Sequence, residues 1–422
     1  MDCVIIGGGV AGFAAAKAIR SSWPDKSVVL MDSENEVGYY RTLLPQYMSE
    51  TLTEKKLFFR TPQDDPQLIV KTGCRVRSLD RLMKRVILES DEAIGYERLI
   101  LAVGGRPIIP PIFKNTFLKG IYPVRYLFDA RPVRKAISGH PHIVILGGGL
   151  VGVKTAAHFA HTGLEVTVVE RENRLLPMAL SKRASKPVEA HLDRLGIRLK
   201  LGCSVNDLKS EKEQLCAVLA GEEWIDCQML LLAAGSVPDI EFLEDSGLLE
   251  DGKLLVSSAL QTLDENIFAL GDAVTIKNGG PHTPWTWPQA VSQGKHAAAN
   301  LFRSPPVPIQ VTTRVNAMNL FGLSLIVLGA PVSGAKVVSY SNPADGVYRE
   351  LFIVDDRIIG GALVGDITDA GPLHAMMIAG EKIDPQNLEH IKPRGTAFSK
   401  RSWSDLVQYR RAFIMPVEEF RE

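Results

Sequence analysis

Two short stretches of this 422-residue chain carry the same potential chemistry. Residues 4–16 read VIIGGGVAGFAAA, and residues 144–156 read VILGGGLVGVKTA. In the first, Gly7, Gly9 and Gly12 fall in the spacing GxGxxG, between an apolar run (2–6) and a helical pattern (10–20). Asp32 closes the next apolar run, SVVLMD. In the second, Gly147, Gly149 and Gly152 repeat the spacing, and Glu170 closes EVTVVE. Each part has a physical task. The first glycine permits a tight turn, the second lets the backbone approach a pyrophosphate, and the third lets helix and strand pack closely. The helix N-terminus presents free N–H groups and the positive end of its dipole to phosphate. The acid accepts the hydroxyls of an adenosine ribose. One glycine turn is weak evidence, but two full strand–turn–helix–strand–acid units predict two adenine-dinucleotide sites.

The elements that must hold these residues are those of an α/β protein with two Rossmann-like dinucleotide-binding domains. Composition agrees with a globular chain: 45% hydrophobic and 23% charged. Lys+Arg and Asp+Glu both number 48, so no net field draws the chain to nucleic acid or an anionic membrane. No apolar run reaches about 18 residues, so no membrane span is expected. The first fingerprint begins at Val4, which leaves no room for a signal peptide. Five scattered cysteines without a CxxC pair suit a reducing cytoplasm, the expected location, and argue against a disulfide framework or a zinc cluster. His158 and His161 lie three apart, but no third ligand converges in sequence. They read as a wet helix face, and no metal is expected.

Three further stretches sharpen the reading. RLILAVGGRPIIPP (98–111) is an apolar strand followed by a turn containing Ala102 and Gly104; MLLLAAGSVP (229–238) leads to Gly235; NIFALGDAV (266–274) ends in Gly271 and Asp272. Over about residues 1–300 this succession resembles the pyridine nucleotide–disulfide reductase superfamily. The resemblance implies that the first fold holds FAD, that an inserted second fold holds NADH or NADPH, and that Asp272 binds the ribityl chain. Asp272 is also readable as a plain turn aspartate. The implied division is 1–111 with 239–305 for FAD, 112–238 for the nicotinamide nucleotide, a smaller α+β C-terminal domain at 306–390, and a basic extension at 391–422. In the superfamily such a C-terminal domain packs near the flavin or makes a dimer contact, so a homodimer is compatible.

Single-cysteine members of that superfamily carry a thiol just after the second strand, and Thr42 stands there in VGYYRTLLPQYMSE (37–50). A threonine cannot cycle through a sulfenic acid or mixed disulfide, so electrons are expected to leave the flavin directly. Tyr40 and Arg41 match a YxR pattern of reductases serving small iron proteins; Arg41 is a pyrophosphate contact or a surface arginine. TWPQAVSQG (286–294) is similar to a WPxAxxQG motif of NADH:rubredoxin reductases and of the flavin module of assimilatory nitrite reductases. There it opens a helix aimed at the flavin, with Trp287 a candidate wall of the ring; Trp285 and Trp287 also read as core aromatics. Relatives commonly have GGGxxGxE, where this chain has Lys154, with Gln46 near the position of a partner lysine. Lys154, expected in the first turn of its helix, either faces the isoalloxazine or points to solvent. Glu170 favours NADH over NADPH, although Arg171 and Arg174 lie close by. A hairpin around DDR (355–357) is expected in the C-terminal domain. Residues 392–411 hold six cations against Asp405, a solvated tail or a docking strip for an acidic carrier.

The expected function is FAD-dependent transfer of hydride from NADH and delivery of electrons to a small iron–sulfur or rubredoxin-like protein. The alternatives are an NADH oxidase or disulfide-type reductase, and a slow redox-sensing flavoprotein that acts as a binding partner.

Overall fold

The structure is a computed structural model that describes residues 1–59, 68–114, 118–139, 141–277, 286–309 and 314–383. Trp285 and the basic strip at 392–411 lie outside the described residues. Seven α-helices occur among the described residues: α1 (Val10–Ser22), α2 (Leu44–Met48), α3 (Leu127–Ala136), α4 (Leu150–His161), α5 (Lys182–Arg194), α6 (Trp287–Asn300) and α7 (Ala370–Ala379). None is long and apolar enough to cross a membrane. The chain forms two compact units. One is Met1–Arg41, Glu54–Arg106 and Ser236–Val311; the other is Thr42–Thr53, Pro107–Gly235 and Thr312–Glu422.

The first unit is built on a parallel sheet of five strands in the order Ile267–Ala269, Arg98–Leu101, Cys3–Ile6, Val28–Met31, Leu68–Lys71. The central strands Cys3–Ile6 and Val28–Met31 are buried along their whole length. That is why they read as unbroken β-branched and aliphatic runs rather than alternating ones. Helices α1 and α6 pack closely: a Cβ on Gly294 of α6 would stand 2.4 Å from the Ala11 carbonyl oxygen of α1. Only glycine allows that approach.

The second unit repeats the plan. Its parallel sheet runs Arg198–Leu201, Val166–Glu170, Ile143–Leu146, Met229–Leu232, Ile121–Pro123. Register repeats too: Cys3 pairs with Val28 in one sheet, and Ile143 with Val166 in the other. This unit also contains an antiparallel sheet ordered Val315–Asn319, Ser324–Leu328, Arg357–Val364, Val347–Val354, Lys336–Asn342. The hairpin around DDR is present, with Asp355 and Asp356 at φ 49° and 58°. Two left-handed residues match the twist of the flanking strands. Arg349, 2% exposed, is clamped between Asp366 and Asp369 and ties this sheet to the start of α7. The α/β class with two dinucleotide folds and a smaller C-terminal sheet is therefore observed.

Candidate functional site

In the first unit the turn after Cys3–Ile6 folds as the glycine spacing demands. Gly7 has φ +112°, and a Cβ there would lie 2.2 Å from the Ala102 carbonyl oxygen. A Cβ on Gly12 would lie 1.9 Å from the Gly7 carbonyl oxygen. Both positions are sterically closed. Gly9 is the opposite case: a Cβ there meets no atom within 4 Å. Gly9 is also the N-cap of α1, with no side-chain cap and no acid in the first turn. The free N–H groups of α1 thus open onto unfilled space. Asp32 accepts the Gly8 N–H at 2.6 Å and the Glu34 N–H at 2.8 Å, which fixes its carboxylate at the rim. Beside it runs an open cleft lined by Gly7, Asp32, Ser33, Cys74, Arg75 and Val103.

The second unit builds the same cradle from different side chains. A Cβ on Gly147 (φ +116°) would strike the Ala233 carbonyl oxygen at 2.3 Å, and one on Gly152 the Gly147 carbonyl oxygen at 1.9 Å. Gly149, the uncapped N-cap of α4, again has nothing within 4 Å. Glu170, 8% exposed, accepts the Gly148 N–H at 2.6 Å and the Glu172 N–H at 2.8 Å. Arg174 is committed elsewhere, donating to the Leu180 and Pro177 carbonyls at 3.2 and 3.0 Å. Arg171 is exposed and close to Glu172. The middle glycines, Gly8 and Gly148, were not singled out in the sequence. Each donates to its acid and accepts from a residue downstream, Gly38 or Leu176. The sequence signal for them was the middle glycine of each GGG.

The remaining candidates fall as follows. Gly104 (φ +68°) accepts the Asp239 N–H, and Gly235 (φ +102°) accepts the Ile108 N–H. Gly271 (φ +74°) donates to the Gln293 side chain at 2.7 Å, and its missing Cβ would sit 3.6 Å from the Cβ of Ala11 at the start of α1. Asp272 follows in a short 3₁₀ turn beside that end of α1. Trp287 opens α6 behind a capping box of Thr286 and Gln289. Its ring lies 4.9 Å from Tyr40 and 5.9 Å edge-on from Phe59, so it belongs to an aromatic cluster. Arg41 pairs with Glu34, whose other oxygen accepts the Tyr39 hydroxyl at 2.7 Å; it also donates to that hydroxyl at 2.9 Å. Burial pushes the Glu34 carboxyl up, and Arg41 opposes the rise.

Three readings need correction. Helix α4 starts at Leu150, so Lys154 stands in its second turn, not its first. Its ammonium donates to the Thr42 carbonyl at 2.6 Å, and burial lowers its pKa. It therefore does not simply point to solvent. His158 is not on a wet face: it is 9% exposed, edge-on to Phe321 at 4.8 Å, and His161 stacks on the same ring at 3.9 Å. Burial, then Lys154 and His161, bring the His158 pKa down to about 4. Among the described residues no cluster suits a metal ion.

The residues present fit two dinucleotides. Each cradle has an unfilled position at its second glycine, an uncapped helix N-terminus, and an acid with remaining acceptor lone pairs. Gln46, which belongs to neither cradle, has a buried side-chain oxygen without a partner among the described residues. Five free cysteines are present, and Cys3 and Cys227 are fully buried. Burial raises the thiol pKa of both, Cys227 to about 12.

Fold and site together define an α/β protein with two dinucleotide-binding sites in one chain. The chain belongs to the pyridine nucleotide-disulphide oxidoreductase family, whose model matches residues 1–294. Residues 315–380 match the rubredoxin NAD+ reductase C-terminal domain. An NADH oxidase of Methanocaldococcus jannaschii is 27% identical over 93% of this chain and 94% of its own length. A rubredoxin-NAD(+) reductase of Alcanivorax borkumensis is 29% identical over 68% of this chain and 76% of its own. In shape the chain is similar to the reductase in a covalent putidaredoxin reductase–putidaredoxin complex, with TM-score 0.86 and 21% identity, covering 97% of this chain and 99% of the other.

Proposed function

We propose that this chain is an FAD-dependent oxidoreductase that takes hydride from NADH and passes electrons to a small iron–sulfur or rubredoxin-like protein, acting in the cytoplasm. The observation that carries this reading is the pair of matched, open glycine cradles, combined with a threonine where a redox thiol would stand. The family and the reductase names among the relatives support it. FAD, when bound, supplies the conversion between a two-electron donor and one-electron acceptors.

The chain's own residues then hold and orient. Gly7, Gly9, Gly12, Asp32, Ala102, Gly104, Gly271 and Asp272 form the FAD site, with Arg41 drawn toward the pyrophosphate or kept by Glu34. Gly147, Gly149, Gly152, Glu170 and Gly235 form the NADH site. Glu170 accepts ribose hydroxyls and repels a 2′-phosphate, and Arg174 is not available to reverse that. Lys154 and Trp287 are assigned to the isoalloxazine surroundings, the first as a cation favouring the reduced flavin and the second as a wall. Domain roles follow: 1–111 with 239–305 for FAD, 112–238 for NADH, 306–390 as the C-terminal domain.

The test is direct. Purified protein should carry one FAD per chain, bleach rapidly with NADH under anaerobic conditions, and reduce a rubredoxin or ferredoxin with NADH. Lys154→Met should lower the flavin potential by roughly 30 mV, the size of a ~1.4 kcal/mol loss for a two-electron couple. Oxygen uptake that matches NADH consumption even with carrier present would establish the oxidase reading instead.

A further inference from the structure

Strand Val347–Val354 of the C-terminal sheet is buried from Val347 to Ile353, yet it carries Arg349 and Glu350 side by side. Neighbouring strand residues face opposite sides of a sheet. Arg349 is answered on its side by Asp366 and Asp369. Glu350, 1% exposed, pairs with no cation among the described residues. A buried carboxylate is costly unless hydrogen bonds replace its water. Glu350 takes them from the Ser181 hydroxyl at 2.6 Å, the Ser181 N–H at 3.4 Å and the Tyr348 hydroxyl at 3.2 Å.

Ser181 is the N-cap of α5. Its hydroxyl accepts the Ala184 N–H at 3.2 Å while donating to Glu350. The first turn of α5 holds Lys182 and Arg183 and no acid, so the helix does not itself supply the negative charge its dipole favours there. Glu350 supplies it from the C-terminal sheet. Near the other end of α5, the His191 Nε2–H donates to the Leu320 carbonyl at 2.5 Å. The C-terminal domain thus holds α5 at both ends.

What α5 anchors is the segment 171–180, which runs from Glu170 to Ser181 and folds back onto the second glycine cradle. The Leu176 N–H donates to the Gly148 carbonyl at 2.8 Å, and a Cβ on Gly148 would lie 2.8 Å from Leu175 Cδ2. Gly148 in turn donates to Glu170. Leu176 does this at φ 52°, a left-handed conformation that leucine rarely adopts. Such a residue persists where its surroundings over-determine it. Here the Ala179 and Leu180 N–H groups donate to the Leu176 carbonyl at 2.8 and 2.9 Å, and the Ser185 hydroxyl of α5 lies 3.0 Å from the Leu175 carbonyl. Ser181 follows directly, pinned by Glu350.

We propose that Glu350 and Ser181 are positioning residues of the NADH site. Through the cap of α5, the C-terminal sheet holds segment 171–180 against Gly148 and keeps Glu170 and the N-terminus of α4 aligned for the adenosine half of the nucleotide. The proposal rests on the functional reading above and adds the C-terminal domain to its NADH site.

The test uses the full-length holoenzyme with menadione as acceptor. ADP-ribose, which carries the adenosine half without the nicotinamide, serves as competitive inhibitor. Ser181→Ala and Glu350→Gln should each raise KM for NADH and the inhibition constant of ADP-ribose about fivefold, with kcat within about twofold and FAD content unchanged. Ser181→Thr, which keeps a capping hydroxyl, should restore both constants. Tyr348→Phe removes a bond to Glu350 but not the link to Ser181, so it should lower the melting temperature and leave both constants at wild type. A rise in KM for Tyr348→Phe equal to that of Ser181→Ala would mean general loosening and overturn the proposal. Wild-type constants in Ser181→Ala would overturn it too, and that variant decides if Glu350→Gln does not fold. Wild-type holoenzyme whose flavin is not reduced by NADH would overturn the functional reading instead.

Discussion

Adding one methyl group at the second and third glycines of each cradle separates binding from folding. At Gly12 a Cβ would stand 1.9 Å from the Gly7 carbonyl oxygen, where an ordinary contact needs about 3.5 Å. The start of α1 would have to move by about 1.5 Å against a strand that is fully buried, and overpacking of this kind costs about 1–3 kcal/mol or more. Gly12→Ala should therefore lower the melting temperature even in apoprotein. At Gly9 the same methyl meets nothing, and φ is −79°, which any residue adopts. Gly9→Ala should leave apoprotein stability within about 1 kcal/mol, the scale of an N-cap change. The methyl instead fills the space from which a pyrophosphate reaches the N–H groups of α1. Losing one charge-assisted bond there costs about 1.5–3 kcal/mol, and weakening the dipole contact adds to it. A total of about 3 kcal/mol is roughly 100-fold in Kd. The assay is fluorescence titration of apoprotein with FAD, alongside thermal unfolding. The twin Gly149→Ala should keep FAD and raise KM for NADH by a comparable factor. Gly9→Ala with wild-type FAD affinity would refute the cradle argument. A Gly9→Ala variant that loses NADH rather than FAD would show the two sites to be assigned in reverse.

Further outcomes are expected. The wild type should prefer NADH to NADPH by about tenfold in kcat/KM, or ~1.4 kcal/mol, and Glu170→Gln should erode this preference; equal use of both nucleotides by the wild type would mean that Arg171 prevails. Because folding depresses the His158 pKa from 6.5 to about 4, the unfolded chain takes up that proton first as pH falls, so stability is complete above pH 6.5 and declines toward pH 4. The loss amounts to at most about 3 kcal/mol, less where solvent screens the ring, and chemical denaturation of His158→Leu should show a flatter acid limb than wild type. Anaerobic dithionite titration should finish after one two-electron equivalent, and native alkylation should reach Cys74, Cys203 and Cys216 but spare buried Cys3 and Cys227 without loss of NADH:menadione activity. A second equivalent would reveal a redox thiol that replaces Thr42.

Much of the fold was legible because its constraints are local. Gly7 must pass Ala102, and Gly12 must pass Gly7, so no side chain fits and the spacing itself records the turn. Asp32 and Glu170 were visible for the same reason: each ends a buried strand within reach of its own glycine loop. What the sequence hid lies in partners far along the chain or without side chains. His158 and His161 do share a helix face, but Phe321, a turn residue of the C-terminal sheet some 160 positions later, packs on it, and His158 is buried while His161 stays exposed. Periodicity tells which residues share a face and is silent about what covers it. The sequence places Lys154 in a first turn, because Gly149 caps α4 with backbone alone and leaves no serine or aspartate to mark the start. Its partner is a main-chain carbonyl, and every residue has one, so nothing in the composition of 37–50 pointed to Thr42. Arg134 repeats the device on the carbonyls of Tyr47 and Leu52. Two cations from α3 and α4 thus fasten Thr42–Thr53 to the second unit, although Arg41 and Glu54 on either side belong to the first. Replacing Lys154 frees the Thr42 carbonyl oxygen, which is exposed and can be satisfied by water, whereas replacing Arg134 also removes an ion pair with Glu50 and a contact over the Tyr47 ring. Lys154→Met should therefore affect the position of this segment and the chemistry beside it more than the stability of the fold.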